Sequence, residues 1–509
     1  MEDNRWYRIR WISLGFLAFS VLVIVLDNTV LNLALPSISK ELGSNDTSLQ
    51  WIVDAYVLAF AGLLLTMGAL GDRFGRKRFL QGGLIVFALF SLGAALSKSS
   101  NMLIAMRALM GIGGAAILPA TLSILTSTFS DTRERAQAIA LWTAVFAVGW
   151  GIGPLVGGWL LSHFEWSSVF YINIPIVVIA LIGGYFFIRD SRAEKSRRID
   201  ILGSILSITG LFALVYGIIQ AGIDSWTAPN VLWAFGAAVV LLATFAFWEL
   251  RTKEPMLPLR FFKNLSFTGA NVALTLVSFA LVGSLFFLSQ YLQTVQGYTP
   301  LQAGVRLLPI VGASFIGASL SAKIAQLITT KITVGLGILV GAAGLFYFYK
   351  IAGVDTSYLR VAIGMCIIAV GLGVAMSPAT NSIMGSIPVA EAGVGSAMND
   401  TTRQVGGALG VAVLGTILNS SYLSTITAAK WPSPLPPPLL TVIGGSVQGA
   451  HIAAITVNNL PLSQVIVSTA NNAFVSGMAH ALLVGAIILV IASITTFIIL
   501  PARVRPYKE

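Results

Sequence analysis

Fourteen apolar stretches, each long enough to cross a lipid bilayer, run through this 509-residue chain. A hydrocarbon core about 30 Å thick takes roughly 20 residues of helix at about 1.5 Å per residue. Measured with that ruler, the spans fall at about 11–36, 49–70, 79–97, 102–127, 135–160, 167–188, 201–221, 231–250, 266–292, 301–325, 333–351, 359–385, 392–419 and 475–500. Composition agrees with lipid as part of the solvent. The chain is 56% hydrophobic and 10% charged, where a soluble domain carries about 25% charged residues. The expected class is therefore all-α integral membrane. The first stretch is too long for the core of a cleaved secretion signal and has no small-residue cleavage site at its end, so it reads as a retained helix.

The net charge of +11 raises the question of nucleic acid, but the charges sit in short loops between the spans. With the N-terminus inside, 23 Lys and Arg lie on the inner side and five on the outer: Lys40, Lys98, Lys350, Arg360 and Lys430. That is the positive-inside pattern, and it places both termini in the cytoplasm with no nucleic-acid partner. Pro119-Ala120-Thr121-Leu122-Ser123-Ile124 in the fourth span recurs as Pro378-Ala379-Thr380-Asn381-Ser382-Ile383 in the twelfth. An offset of eight spans fits two six-helix bundles with two helices inserted between them, a repeat typical of transporters. The expected divisions are residues 1–190, 191–262 and 263–509, the last including a long extracytoplasmic loop at 420–474. That loop holds the proline run Trp431 to Pro438, which favours extended structure, while its remainder has room for short amphipathic elements. It reads either as a lid over the outer mouth or as a tolerated insertion.

An ionisable group inside hydrocarbon is costly and so marks a candidate site. Asp27 lies in the first span, Asp54 in the second and Asp400 in the thirteenth. A carboxylate sheltered from water is able to exchange a proton near neutral pH or to attract an organic cation. Each has a plainer reading. Asp27 could serve only to hydrogen-bond neighbouring helices, Asp54 could be a solvated helix-end charge, and Asp400 could be neutralised by Arg403 on the same helical face. Arg107, in Arg107-Ala108-Leu109-Met110-Gly111-Ile112-Gly113-Gly114, could tune a nearby acid or anchor a helix end. The stretch Gly68 to Arg78, with Asp72, Arg73, Gly75 and Arg76, could latch one conformation or be an ordinary basic loop. Gly149, Gly153, Pro154, Gly157 and Gly158 mark a kinked helix suited to close packing. Aromatic and amide side chains able to line a cavity for flat cations are Trp51, Tyr56, Trp142, Phe146, Phe286, Phe287, Tyr291 and Gln293, with Asn32 and Arg403.

Several chemistries find no support in the sequence. There is no phosphate-binding Gly-x-x-x-x-Gly-Lys-Ser/Thr loop, no nucleophile elbow and no zinc-protease helix motif. His163, His451 and His480 are far apart, and Cys366 is the only cysteine. No metal, no cofactor and no intramolecular disulfide is expected. Transport would draw on an ion gradient.

These segments together resemble the major facilitator superfamily. Gly68 to Arg78 looks like its signature loop, Arg107 with its glycine tail like its fourth-helix arginine motif, Gly149 to Gly158 like the antiporter motif, and Leu26 to Pro36 like the first-helix motif of drug:proton antiporters. Fourteen spans are similar to its 14-helix drug:proton antiporter branch. The resemblance implies a major facilitator fold and proton-coupled export of diverse drugs, chiefly lipophilic cations, by alternating access. It implies that Asp27 and Asp54 couple protons, that Arg107 relays them, and that Asp72 and Arg73 form the latch. Asp400 stands where a neutral polar residue is common. The implied setting is the inner (plasma) membrane, as a monomer or with an accessory export protein. One narrow cargo (a host-made antibiotic, a lipid or a metabolite) is the alternative, and a membrane enzyme or channel is the reading from another class.

Overall fold

The computed structural model describes residues 2–129, 131–191, 200–252, 255, 257, 259–387, 392–432, 435–457 and 459–502. Among the described residues there are seventeen α-helices and no strand. In order they are α1 (Glu2–Leu42), α2 (Asp46–Phe74), α3 (Arg76–Ala95), α4 (Ser100–Thr128), α5 (Thr132–His163), α6 (Ser168–Tyr171), α7 (Asn173–Phe187), α8 (Ile201–Ala221) and α9 (Pro229–Arg251). There follow α10 (Leu265–Gln290), α11 (Pro300–Leu327), α12 (Thr330–Ile351), α13 (Tyr358–Met384), α14 (Ala392–Ala428), α15 (Pro437–Gly445), α16 (Val447–Thr456) and α17 (Leu460–Ile499). Fourteen spans are long and apolar enough to cross a membrane, with α6 and α7 counted together. Helices prevail because backbone groups in hydrocarbon must be satisfied within their own segment.

Three boundaries differ from expectation. The expected loop 420–474 is much shorter. α14 continues to Ala428 because Leu418, Tyr422 and Ile426, four residues apart, stay buried on one face. α17 begins at Leu460, where the Asn459 side chain caps the backbone N–H of Leu462 at 3.1 Å. Ile466, Ala470, Ala473 and Phe474 then continue a helical stripe into the core. Only α15 and α16 remain between them, and the proline run ends as the cap and first turn of α15. The first helix also runs past Pro36 to Leu42, because Leu35 and Ile38 on either side of it are fully packed.

Helices α1–α7 pack chiefly among themselves, as do α10–α14 with α17. The groups meet where α2 lies on α14, α5 on α11 and α1 on α10. Ser289 Oγ donates to the Asn32 carbonyl at 2.5 Å, and Gln293 Nε2 to that of Leu33 at 2.9 Å. α8 touches both groups. Its Ser204 hydroxyl meets that of Thr66 on α2, and its Ile218 carbonyl accepts from Thr416 Oγ1 of α14 at 3.2 Å. α9 packs on α8 and leaves Trp233, Val239, Val240 and Leu250 largely uncovered, the composition of a surface that faces lipid.

Candidate functional site

The first group of helices is knotted around one buried ion pair. Asp27, midway along α1, is 2% exposed, and Arg107 on α4 is 0% exposed. Glycines bring the helices close enough for them to meet. A Cβ on Gly111 would lie 2.5 Å from the Tyr56 carbonyl oxygen, and one on Gly113 2.7 Å from the Phe87 nitrogen. Only glycine lets α4 nest against α2 and α3 in this way.

Arg107 uses the nested position in three ways. Nη1 donates to Asp27 Oδ2 at 2.5 Å and Nε to the Ile52 carbonyl at 3.1 Å, while Cζ lies 4.2 Å from the Tyr56 ring centroid. The other oxygen, Asp27 Oδ1, accepts from Asn173 Nδ2 on α7 at 3.0 Å. Asn173 Nδ2 also reaches Ser91 Oγ on α3 at 3.0 Å, and Ser91 Oγ donates to the Phe170 carbonyl of α6 at 2.9 Å. One hydrogen-bonded network around this carboxylate thus joins six helices. In a water-poor interior such a pair is held by its hydrogen bonds as much as by charge.

The glycine-rich helix α5 forms the wall beside this knot. Gly149 and Gly157 would each bring a Cβ within 3 Å of Val25 or Val30 on α1, and a Cβ on Gly153 would overlap Thr29. On its other side a Cβ on Gly158 would lie 2.8 Å from Leu301 Cα of α11, and one on Gly304 would overlap the Pro154 carbonyl. α5 is therefore clamped between α1 and α11 with no room for side chains.

At the α2–α3 turn, Gly75 takes φ 110°, a backbone region that suits glycine. Arg76 Nη1 donates to the Ser123 carbonyl of α4 at 3.2 Å, Lys77 Nζ to that of Tyr185 on α7 at 2.7 Å, and Arg78 pairs with Asp190 at 3.6 Å. Gly68 lies against Pro119, while Arg73 is exposed with its guanidinium 5.7 Å from the Phe74 ring. The side chain of Asp72 lies outside the described residues.

The remaining acids sit apart from the knot. Asp54 is fully buried on α2, and neither of its oxygens has a hydrogen-bond partner among the described residues. Asp400 and Arg403 are half-buried on α14, with no ion pair between them among the described residues.

The aromatic and amide candidates fall in separate environments. Trp51 packs on Phe212 and Tyr216 of α8, at 5.2 and 6.4 Å between centroids. Tyr56 lies beneath Arg107. Trp142 donates to Thr121 Oγ1 at 3.2 Å and meets Phe146 edge-on at 5.1 Å. Phe286, Phe287 and Tyr291 are buried, and the Tyr291 hydroxyl donates to the Gly353 carbonyl at 2.8 Å. Asn32 Nδ2 bonds back to the Asn28 carbonyl at 2.9 Å.

Four residues were not foreseen. Asn173 and Ser91 complete the shell of Asp27. Asp46 and Gln50, each 1% exposed, lie two turns and one turn before Asp54 on the same face of α2 and have no side-chain partner among the described residues. The four-residue spacing of Asp46, Gln50 and Asp54 is a signal the sequence does carry.

Fourteen spans, two groups of helices joined along one seam and a charge knot inside hydrocarbon define a multi-pass membrane protein of the transporter class. The chain belongs to the Major Facilitator Superfamily, whose family model matches residues 17–411. It is 34% identical to the multidrug efflux pump LfrA of Mycolicibacterium smegmatis, over 95% of each chain. It is 32% identical to the tetracenomycin C resistance and export protein of Streptomyces glaucescens, over 96% of this chain and 91% of that one. A bacterial homologue of the human lysosomal transporter Spinster has the same fold, with a TM-score of 0.65 at 17% identity, covering 96% of this chain and 97% of that one.

Proposed function

We propose that the protein is a proton-coupled antiporter that exports drug-like molecules, chiefly lipophilic cations, by alternating access. Relatives named for efflux and resistance across nearly the full length support the cargo class. The observation that carries the coupling is the buried Asp27–Arg107 pair with Asn173 on the second oxygen. A proton on Asp27 removes the charge that Arg107 answers, and the ties among α1, α4 and α7 weaken together. Loading and unloading that proton shifts the balance between two arrangements of the helix groups, provided each arrangement binds it unequally. The groups α1–α7 and α10–α14 with α17 rock about the seam between them, while α8 and α9 lie outside the moving core. Both chain ends face the cytoplasm, as the distribution of Lys and Arg supports. Arg76, Lys77 and Arg78 brace the α2–α3 turn against its own group, so that it moves with that group.

The test is dye efflux from inverted vesicles under an imposed pH gradient. Asp27→Asn is expected to abolish gradient-driven efflux while inserted protein persists at normal level. Efflux that stays coupled in Asp27→Asn refutes the assignment, and efflux that is indifferent to the gradient in the parent protein refutes antiport. The tetracenomycin relative favours a second reading, a single narrow cargo, which predicts that only one compound of a chemically varied panel is moved.

A further inference from the structure

We propose that Arg306, bracketed by Tyr298 and Tyr358 where α11 and α13 begin, is a binding site for the phosphate of a phospholipid in the outer leaflet. The inference takes from the proposed function only the orientation of the chain, which puts the start of α11 on the extracytoplasmic side.

Arg306, like Arg107, lies inside a span, but it is answered differently. Nη1 donates to the Gln302 carbonyl one turn back on its own helix, at 3.3 Å. Cζ lies 3.8 Å from the Tyr298 ring centroid and 5.2 Å from that of Tyr358. Nε is buried and has no hydrogen-bond partner among the described residues. No carboxylate among the described residues forms an ion pair with this guanidinium. Two tyrosine faces attract a cation without neutralising it.

The bracket is firmly built. The Tyr358 hydroxyl donates to the Arg306 carbonyl at 3.0 Å. Gln296, two residues before Tyr298, donates to the Thr356 carbonyl at 2.8 Å, and Tyr291 donates to that of Gly353. The turn before α11 and the loop before α13 are thereby fastened to each other.

The neighbourhood is short of acids. From Leu265 to Met384, a stretch that contains α10 to α13, the sequence holds one, Asp355, exposed in the loop between α12 and α13. The only acid of α5, which also packs on α11, is Glu134 at the opposite end, paired with Arg10. Cations, in contrast, collect here. Lys350 and Arg360, two of the five assigned to the outer side, are exposed at either end of the Asp355 loop. The outer side is otherwise poor in positive charge, as the positive-inside pattern requires, so a surplus on one rim calls for an anion.

Depth and direction identify that anion. Arg306 is six residues into α11, about 9 Å below its first residue, and a helical side chain leans toward the N-terminal end of its helix. The guanidinium therefore reaches outward to the level of the headgroups. Val305 beside it and Leu359 beside Tyr358 are exposed, so lipid adjoins the site. Below it lies an apolar crevice lined by Leu281, Leu285, Ile310, Met365 and Ile368. Ile310 is four residues after Arg306 and Met365 seven after Tyr358, on the same helical faces. An anionic head at Arg306 thus sits above a surface that an acyl chain covers. A phosphate accepts two hydrogen bonds from one guanidinium in a single plane, which suits arginine better than lysine.

The test is native mass spectrometry of the full-length protein in detergent, titrated in separate arms with phosphatidylglycerol, with a diacylglycerol of the same chains and with inorganic phosphate. The parent protein is expected to hold one phosphatidylglycerol more tightly than the diacylglycerol. Arg306→Gln is expected to weaken that lipid about ten- to hundredfold, as loss of a charge-assisted hydrogen bond does. Lys98→Gln and Lys430→Gln, at exposed outer cations elsewhere, are expected to leave it unchanged. Phosphatidylglycerol held equally by Arg306→Gln and the parent overturns the site. So does a parent that holds the diacylglycerol equally well, a result that needs no variant to fold. Inorganic phosphate bound as tightly as the lipid assigns Arg306 to a soluble anion and overturns the lipid. None of these readings involves movement of cargo, so antiport stands or falls by the efflux test alone.

Discussion

Helices α4 and α13 are built on the same stretch of sequence and are put to opposite uses. Both carry Pro-Ala-Thr-x-Ser-Ile, and twelve residues before the proline α4 has Arg107 where α13 has Cys366. Arg107 is wholly buried and linked to two other helices. Cys366 is half-buried, and its thiol lies 3.9 Å from the Pro309 carbonyl. The space beside α13 is an apolar crevice lined by Leu281, Leu285, Phe348, Met365 and Ile368. A repeated helix shape therefore does not carry repeated chemistry. A cation is sustained in hydrocarbon only where a counter-charge and acceptors converge on it, and α1 and α2 provide them to one copy alone.

The comparison breaks first at the arginine. Arg107→Ala leaves Asp27 buried without its cation and is expected to cost about 3–5 kcal/mol of stability, with loss of coupled efflux. Cys366→Ala at the matching place is expected to cost no more than about 1.5 kcal/mol. Thermal unfolding in detergent and vesicle efflux read the two together, and equal damage from both would erase the distinction between the halves. Asn173→Ala sharpens the same point. Removing one donor from a buried carboxylate is expected to cost about 1–3 kcal/mol and to spare membrane insertion.

Packing gives the next contrast, between α5 and α11. Gly153→Ala forces a methyl into Thr29 and is expected to destabilise by about 1–3 kcal/mol. Gly312 on α11 has open space at its Cβ position, so Gly312→Ala is expected to be neutral or to stabilise by up to about 1 kcal/mol through helix propensity. A gain from both substitutions would mean that α5 is not clamped.

The smallest effect belongs to an acid in water. Asp224, between α8 and α9, accepts from Gln220 at 2.8 Å and Asn230 at 2.6 Å, and these bonds hold its carboxyl below the usual range. A depressed acid stabilises the fold above its ordinary pKa and ceases to do so as pH falls through the lowered value. Asp224→Ala is therefore expected to lower the melting temperature slightly at neutral pH and not at all in strong acid. A pH-independent shift would assign the effect to something other than its charge.

The acids divide by how much of their role could be read in advance. Asp27 and Arg107 were visible because a charge in an apolar run has no ordinary explanation. Asn173 and Ser91 were not, since a polar residue in a membrane helix usually bonds back to its own turn, as Asn32 and Thr29 do here. Taken alone, Asp46 carried no signal, because an acid just before an apolar run needs no burial, and only the packed structure buries it. The segment 460–474 looked like loop because its Asn and Ser residues interrupt the apolar run, although the caps and stripe of α17 carry the helix through them.

Sequence alone determined the number and class of the spans, because the thickness of hydrocarbon and the need to satisfy every backbone group leave one local solution for a long apolar run. It also marked the charged residues that such a run should exclude. Tertiary structure decided which of those charges are answered. Asp27 meets Arg107 across two helices, whereas Asp54 has no hydrogen-bond partner among the described residues, and that outcome depends on how closely glycines let neighbouring helices approach, a distance that no single helix encodes.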